Sequence, residues 1–312
     1  MDEESTTMTF AQQSKKFLEA LETRKRAPIS ANTIRIYQSH LRAHILPSLG
    51  GVNIAVFENG AMKRFVGGLE GLAPSTVVSI ANLVKAVVAS CQDANGNELY
   101  PRAWNNEFID LPIVSSRDQK APVIGVPALE RAISGAGGQF RALYALLAGT
   151  GLRISEALAL RAGRPDDGRS SIWLPGESKL IIRGQVQNGE FVRPKTAAGF
   201  REVDIHADIN EVLCQEDCPA GNLLFTGYNG GYLPLPTAYD AAKKDGIPGF
   251  HSLRRFRVTR LREVGAPEDL LKYWIGHSGK DISDRYSKLS QNVEIRKQWA
   301  EKAGLGFTLR VL

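Results

Sequence analysis

Apolar residues recur every three to four positions through the first hundred residues, which is the spacing of one helix face. Short segments with polar, Gly or Pro residues, such as Ile45–Gly51, separate four such groups. Ser30 and Pro74 stand where helices are expected to begin. The pattern predicts an all-α module of four helices with these apolar positions: Phe10, Phe17 and Leu21; Ile34, Tyr37, Leu41 and Ile45; Met62, Phe65, Val66 and Leu69; Val77, Ile80, Val84 and Val87.

The periodicity stops in the segment Pro112–Gly125, which is rich in Pro, Ser and charged residues. Such a composition is typical of a linker. A length of 312 residues also favours two domains over one. We therefore predict a helical domain over residues 1–112, a linker over residues 113–124 and a second domain over residues 125–312.

The second domain has a mixed pattern. Helical periods run from Pro127 to Leu160 with breaks at glycines, and they return from His251 to Ile275. Between them, short β-rich runs separated by Gly, Asn and Pro predict hairpins of a small antiparallel sheet. The fold class is therefore expected to be mainly α with a small antiparallel β-sheet (α+β).

Composition narrows the possible partners. No apolar run approaches the length of a membrane span, and the acidic, polar start does not resemble a signal peptide, so we expect a cytoplasmic protein. The three cysteines lack paired spacing, which argues against disulfides or a zinc site. The net charge is +6. The basic excess lies in residues 113–312, and five arginines cluster between Arg254 and Arg262, which favours a polyanion such as DNA.

Several residues have the chemistry to act on a phosphodiester. Guanidinium groups stay charged and their forked donors match two phosphate oxygens, which makes Arg153 and Arg254 candidates for stabilising the transition state. Tyr286 is a candidate nucleophile, since nearby cations or a proton acceptor would activate its phenol. Lys195, between two predicted strands, is a candidate proton donor to the leaving oxygen.

In chain order, the candidates lie in the sequences GTGLRISE (Arg153), KTAAGFREV (Lys195), HSLR (His251 and Arg254), GH (His277) and, nine residues later, Tyr286. This series resembles the tyrosine recombinases, the phage-integrase type of site-specific recombinase. The N-terminal helices are similar to that family's core-binding domain, although this similarity depends on pattern alone.

The resemblance implies a function for each candidate. Tyr286 would attack the scissile phosphate and form a 3′-phosphotyrosine, while Arg153 and Arg254 hold the phosphate and Lys195 acts as general acid. His251 would assist proton transfer and His277 would hydrogen-bond the phosphate. Neither ATP nor a metal cofactor would be required.

The resemblance also implies how the protein would assemble. The partner would be a double-stranded DNA recombination site, of a mobile element for example, bound by a homotetramer of two-domain clamps in a prokaryotic or viral-host setting associated with the nucleoid. A C-terminal segment, residues 292–312, is a candidate for exchange between subunits.

Three alternatives remain open at this point. The interval between Arg153 and Lys195 is longer than expected for the family, so Lys179 is a second candidate for the lysine role. A type IB topoisomerase uses a similar set of residues to relax DNA. The segment Val258–Gly276 also resembles a helix-turn-helix, which would indicate a DNA-binding regulator without catalytic activity.

Overall fold

The computed structural model describes residues 8–115, 121–163, 169–194, 199–277 and 289–309. The chain divides into two compact units, Met1–Gln119 and Lys120–Leu312. The assignment of one unit to DNA clamping and the other to catalysis remains a prediction.

The first unit is helical, and its helices match the predicted apolar groups. Ser30 caps the second helix by accepting a hydrogen bond from the amide of Thr33, as its position in the sequence predicts. The described helices are α1 (Phe10–Glu22), α2 (Ala31–His40), α3 (Leu46–Leu49), α4 (Asn59–Gly67), α5 (Pro74–Ala89) and α6 (Asn106–Ile109). Their apolar faces meet in one core that includes Phe10, Ile45, Met62 and Ile80, all fully buried.

The helix end predicted within Ile45–Gly51 lies after Pro47, although a proline usually ends a helix before itself. Residues Leu41–Ile45 form a π-helical turn that leads from α2 into α3. Pro47 then occupies the first turn of α3, where its missing N–H leaves no intrahelical hydrogen bond unmade. The helical path therefore passes the proline and ends at Leu49.

The second unit packs helices around a small sheet. Its central helix, α8, is buried at every position from Ala142 to Thr150 and packs against α7, α10 and α12. The described helices are α7 (Val126–Gly135), α8 (Gln139–Thr150), α9 (Ile154–Ala157), α10 (Ala207–Gln215), α11 (Leu235–Lys244), α12 (Phe250–Glu263), α13 (Glu268–Ile275) and α14 (Val293–Ala303).

The four-stranded sheet has the order β1-β2-β3-β6, and β4 and β5 form a separate two-stranded ribbon. The strands are β1 (Leu160–Ala162), β2 (Ser171–Leu174), β3 (Lys179–Ile182), β4 (Gln185–Gln187), β5 (Glu190–Val192) and β6 (Arg201–Asp204). The pairs β2–β3 and β3–β6 are antiparallel, as predicted.

The prediction of a purely antiparallel sheet is wrong at β1, which runs parallel to β2. The sequence pattern assigned Leu160 to the end of a helical stretch. Strand β1 instead pairs with β2 on one side, and on the other it exchanges backbone hydrogen bonds with residues 222–224. Because both edges of β1 are paired, long-range hydrogen bonding outweighs the local helical period.

Helix α14 lies in the C-terminal segment that is a candidate for exchange. In this structure it packs against its own unit, with Ala300 and Ala303 in the core. Arg296 donates to the carboxylates of Asp204 and Glu202 on β6. Exchange of the segment between subunits remains a prediction. Among the described helices, none is long and apolar enough to cross a membrane.

Candidate active site

Arg153 lies at the sharp turn that joins α8 to α9. Gly151 ends α8 in the left-handed conformation (φ 73°), and Arg153 is the residue before the first turn of α9. Its amide donates to Glu156 Oε2 at 2.9 Å, and its Nη1 lies 3.0 Å from Glu156 Oε1. The side chain remains 38% exposed. Glu156 therefore holds Arg153 from one side and leaves part of its guanidinium open to a ligand.

Arg254 is buried on the inner face of α12 and joins two helix ends. Its Nη1 donates to the Gly151 carbonyl at 2.7 Å and its Nη2 donates to the Ile275 carbonyl at 2.6 Å. Both carbonyls belong to the C-terminal ends of helices, where a cation is electrostatically favourable. Burial, followed by the nearby charge of Arg153, lowers the pKa of Arg254 to about 10, so the group stays protonated at neutral pH.

The two histidines line one cleft beside Arg254. His251 lies three residues before Arg254 on α12, a spacing that places both on one helix face. His277 follows Gly276 at the end of α13, and its amide donates to the Lys272 carbonyl at 3.0 Å. The cleft measures about 790 Å³ and is also lined by Arg255.

Burial and positive charge both act on these histidines. Partial burial is the larger cause that lowers the pKa of each imidazole, and the neighbouring arginines lower it further. Arg255 is the first of these for His251, and Arg254 is the first for His277. Since an unperturbed histidine titrates near 6.5, both are neutral at pH 7 and able to donate or accept a proton.

The structure thus brings together four of the six candidate residues: Arg153, His251, Arg254 and His277. Their charges are close enough for Arg153 and Arg254 to affect the pKa of both histidines. Lys195 and Tyr286 lie outside the described residues. Their roles remain predictions.

Lys179, the second candidate for the lysine role, is buried among carboxylates. Its Nζ lies 2.8 Å from Glu177 Oε2 and 3.4 Å from Glu202 Oε1. Burial alone would lower the pKa of Lys179, but the two carboxylates outweigh it, so the pKa is raised. A raised pKa makes Lys179 a poor proton donor at neutral pH.

Strand register places Lys179 away from the turn that carries Arg153. Lys179 pairs with Asp204, whereas Ile182 pairs with Arg201, the partner of Glu156. Three residues along a strand correspond to about 10 Å. Position and protonation therefore both argue against Lys179 as the acid, and the role of Lys195 remains a prediction.

Two further residues of this site, Glu156 and Arg201, were not among the sequence candidates. Glu156 is 5% exposed and accepts hydrogen bonds from both Arg153 and Arg201. Burial would raise the pKa of Glu156, but Arg201 and then Arg153 lower it by a larger amount, so the carboxylate is ionised. A glutamate three residues after Arg153, at the start of a helix, was a signal in the sequence for this contact.

The positive charge described at this site is carried by arginine side chains. Among the described residues, no group of three or more His, Cys, Asp or Glu side chains is placed to hold a metal ion. The donors that line the cleft are guanidinium and imidazole groups, which suit an anion. The arrangement is chemically equipped to bind a phosphate and to stabilise added negative charge on its oxygens.

Known structures share this architecture. A Tn1549 transposon integrase, solved in complex with circular-intermediate DNA, superposes with a TM-score of 0.68 over 91% of this chain and 99% of that chain, at 18% identity. A lambda integrase tetramer bound to a Holliday junction gives a TM-score of 0.59 over 92% of this chain and 80% of that chain, at 14% identity. The chain has the tyrosine recombinase fold.

Sequence comparison agrees with the structural comparison. A tyrosine recombinase XerC-like protein of Caldanaerobacter subterraneus subsp. tengcongensis is 23% identical, with 79% of this chain and 71% of that protein covered. No protein-family model matches the chain. The predicted resemblance to the tyrosine recombinases is confirmed.

The tyrosine recombinase fold accounts for the segment that resembles a helix-turn-helix. Helix α13 buries Leu270, Leu271, Trp274 and Ile275 in the core of its unit. The Ile275 carbonyl at its end binds Arg254. Helices α12 and α13 therefore form part of the candidate active site, and the interpretation of this segment as the helix-turn-helix of a regulator is not favoured.

Proposed function

We propose that this chain is a site-specific DNA recombinase that cleaves and rejoins DNA through a covalent 3′-phosphotyrosine. The observation that carries the proposal is a cleft lined by His251, Arg254 and His277, with Arg153 close enough for its charge to lower the pKa of both histidines. The tyrosine recombinase fold and the similarity to a XerC-like protein support the same reaction.

In the proposed reaction, the scissile phosphate lies against the open side of Arg153 and beside the histidines. Tyr286 Oη forms a bond to phosphorus as the bond to the 5′ oxygen breaks. The phenolic proton passes to a base, for which His251 is the candidate, and Lys195 donates a proton to the leaving 5′ oxygen. Attack by a 5′ hydroxyl on a phosphotyrosine reverses these steps, so the phosphodiester energy is kept.

The arginines stabilise the transition state more than the bound substrate. Charge grows on the non-bridging oxygens as phosphorus becomes five-coordinate, and fixed guanidinium groups need no reorganisation to meet it. Arg254 is fixed by two helix ends and Arg153 by Glu156. This pre-organisation supplies positive charge in the position that metal ions occupy in other phosphoryl-transfer sites.

Recombination further requires two DNA sites to be held together. A homotetramer on paired duplex sites is the proposed assembly, supported by the lambda integrase tetramer that has a similar fold. The proposed setting is the cytoplasm of a prokaryote or of a virus-infected host cell, in association with chromosomal or mobile-element DNA.

The test is adduct formation with a defined site. A duplex site is first selected from a random DNA library by binding to the Tyr286→Phe variant, and a nick is then placed so that cleavage releases a short strand and traps the adduct. In excess chelator, the wild-type protein is expected to become covalently linked to this DNA.

Two tyrosine variants separate chemistry from binding. Tyr286→Phe should bind the site with unchanged Kd and form no adduct, whereas Tyr228→Phe, altered at a fully exposed tyrosine of the same unit, should react like the wild type. Adduct formation by Tyr286→Phe, or a strict requirement for a divalent metal, would refute the mechanism.

A further inference from the structure

A third guanidinium is buried beside the proposed phosphate site. Arg201 is the first residue of β6, and its side chain has no exposed surface. Its Nη1 and Nη2 donate to the two oxygens of Glu156 at 3.1 and 2.9 Å. Since burying a charged residue is costly unless it is paired, an arginine at this position calls for an explanation beyond filling space.

The Glu156 carboxylate is shared between Arg201 and Arg153. Oε1 accepts from Nη1 of both arginines, at 3.1 Å for Arg201 and 3.0 Å for Arg153. Oε2 accepts from Arg201 Nη2 and from the Arg153 amide, each at 2.9 Å. Four hydrogen bonds therefore fix the plane of the carboxylate. Because its Nη1 donates to this carboxylate, the guanidinium of Arg153 is oriented by it.

The other end of the Arg201 guanidinium contacts the segment that carries His277. Its Nε donates to the Trp274 carbonyl at 2.8 Å. The next carbonyl, of Ile275, is bound by Arg254 at 2.6 Å. Two arginines thus bind consecutive carbonyls at the C-terminal end of α13, two residues before His277.

Arg201 also affects how much charge Arg153 presents. Glu156 carries one negative charge, which would neutralise Arg153 alone if no second cation were present. With Arg201 as the second partner, the cluster of three arginines and one carboxylate keeps a net positive charge beside the proposed phosphate position.

We infer that Arg201 is a positioning residue of the cleavage reaction: it orients Arg153 through Glu156 and holds the turn that presents His277. The inference rests on the proposed function. Because the Arg201 side chain is fully buried, it acts without touching DNA.

The test variant is Arg201→Lys, which keeps the positive charge and loses the forked donor geometry of the guanidinium. Single-turnover adduct formation should slow by about 100-fold, the order expected when a catalytic group is misplaced by about 1 Å. The Kd for the DNA site should change by less than about threefold, since the remaining phosphate contacts are intact. Unchanged cleavage by this variant would overturn the inference.

A matched control measures the general cost of altering a buried arginine. Arg296 is 3% exposed and, like Arg201, is a buried arginine paired with acidic side chains, in this case Asp204 and Glu202 of β6. Arg296→Lys should lower the unfolding temperature by an amount similar to Arg201→Lys but reduce cleavage by less than about fivefold. A loss of cleavage as large as that of Arg201→Lys would mean that lowered stability explains both results.

A second comparison tests the route through Arg153. In an Arg153→Ala background, Arg201→Lys should slow cleavage by less than about tenfold further, because residues that act as one unit are not additive. An undiminished 100-fold loss would show that Arg201 acts independently of Arg153.

A spectroscopic readout keeps this inference separate from the proposed function. The side-chain Nε–Hε NMR signal of Arg153, assigned by its loss in Arg153→Ala, should shift and broaden in Arg201→Lys and stay unchanged in Arg296→Lys. If the wild type forms no adduct, the proposed function fails, and this signal alone decides whether Arg201 orients Arg153. An unmoved signal would overturn the inference.

Discussion

Gly276→Ala is expected to destabilise the second unit by more than its backbone conformation explains. Gly276 ends α13 with φ 66°, in the left-handed region. A Cβ added there would lie 2.7 Å from Nη1 and 2.8 Å from Cζ of Arg201. Ordinary contact begins near 3.4 Å, so the guanidinium would have to move by roughly 0.7 Å.

The expected magnitude has two parts. A side chain in the left-handed conformation costs about 1–2 kcal/mol. The Arg201 guanidinium is held by Glu156 and by the Trp274 carbonyl, and losing one such charge-assisted hydrogen bond costs about 1.5–3 kcal/mol. The total for Gly276→Ala is therefore about 2.5–5 kcal/mol.

Gly265→Ala is the matched control. Gly265 has φ 73°, and an added Cβ would meet no atom within 4 Å among the described residues. It should cost only the backbone part, about 1–2 kcal/mol. Both glycines lie in the second unit, between or just after α12 and α13.

The assay is urea unfolding of the full chain followed by tryptophan fluorescence. Three of the four tryptophans, Trp173, Trp274 and Trp299, belong to the second unit and dominate the signal. In an Arg201→Ala background, the two glycine variants should cost equal amounts, because the obstructing guanidinium is gone. Equal costs in the wild-type background would refute the steric argument.

Three further outcomes are expected. The folded-state pKa of His251 and of His277 lies below the unfolded value near 6.5. The free energy of unfolding should therefore fall as pH drops from about 6.5 through the folded pKa. Replacing both histidines by Gln should flatten this pH dependence, measured by urea unfolding. Lys195→Ala should abolish cleavage of normal DNA but not of a substrate whose leaving 5′ oxygen is replaced by sulfur, because a thiolate leaves without a proton. Lys179→Ala should lower stability and keep cleavage. The reverse pattern would assign the acid to Lys179. The logarithm of the DNA-binding constant should fall steeply and linearly with the logarithm of salt concentration in a filter-binding titration, and a shallow slope would contradict a phosphate-dominated interface.

Local patterns in the sequence were sufficient for the main helices of the first unit and for α7, α8, α12 and α13 of the second, whereas α10, α11 and α14 were not predicted. Apolar spacing and caps such as Ser30 act within a few residues, so a single segment carries the information. The same holds for His251 and Arg254, whose spacing on a helix places them on one face. Side-chain chemistry in chain order then indicated the recombinase resemblance.

Contacts between distant segments could not be predicted in this way. The parallel pairing of β1 depends on β2 and on residues 222–224, and its local sequence favours a helix. Arg201 shows no signal in sequence, because an arginine on a strand is ordinarily exposed. Only its partners, Glu156 and Trp274, make a buried position possible, and they lie 45 and 73 residues away.

The sequence by itself determined which residues have the chemistry to bind and transfer a phosphate, because charge and helix periodicity are properties of residues and their near neighbours. The tertiary structure decided how Arg153, Arg254 and Glu156 are held. Arg254 reaches the end of a helix 103 residues earlier in the chain. That placement depends on which buried surfaces and helix ends meet on folding, and such long-range contacts are stabilised by burial and hydrogen bonding that no local pattern records.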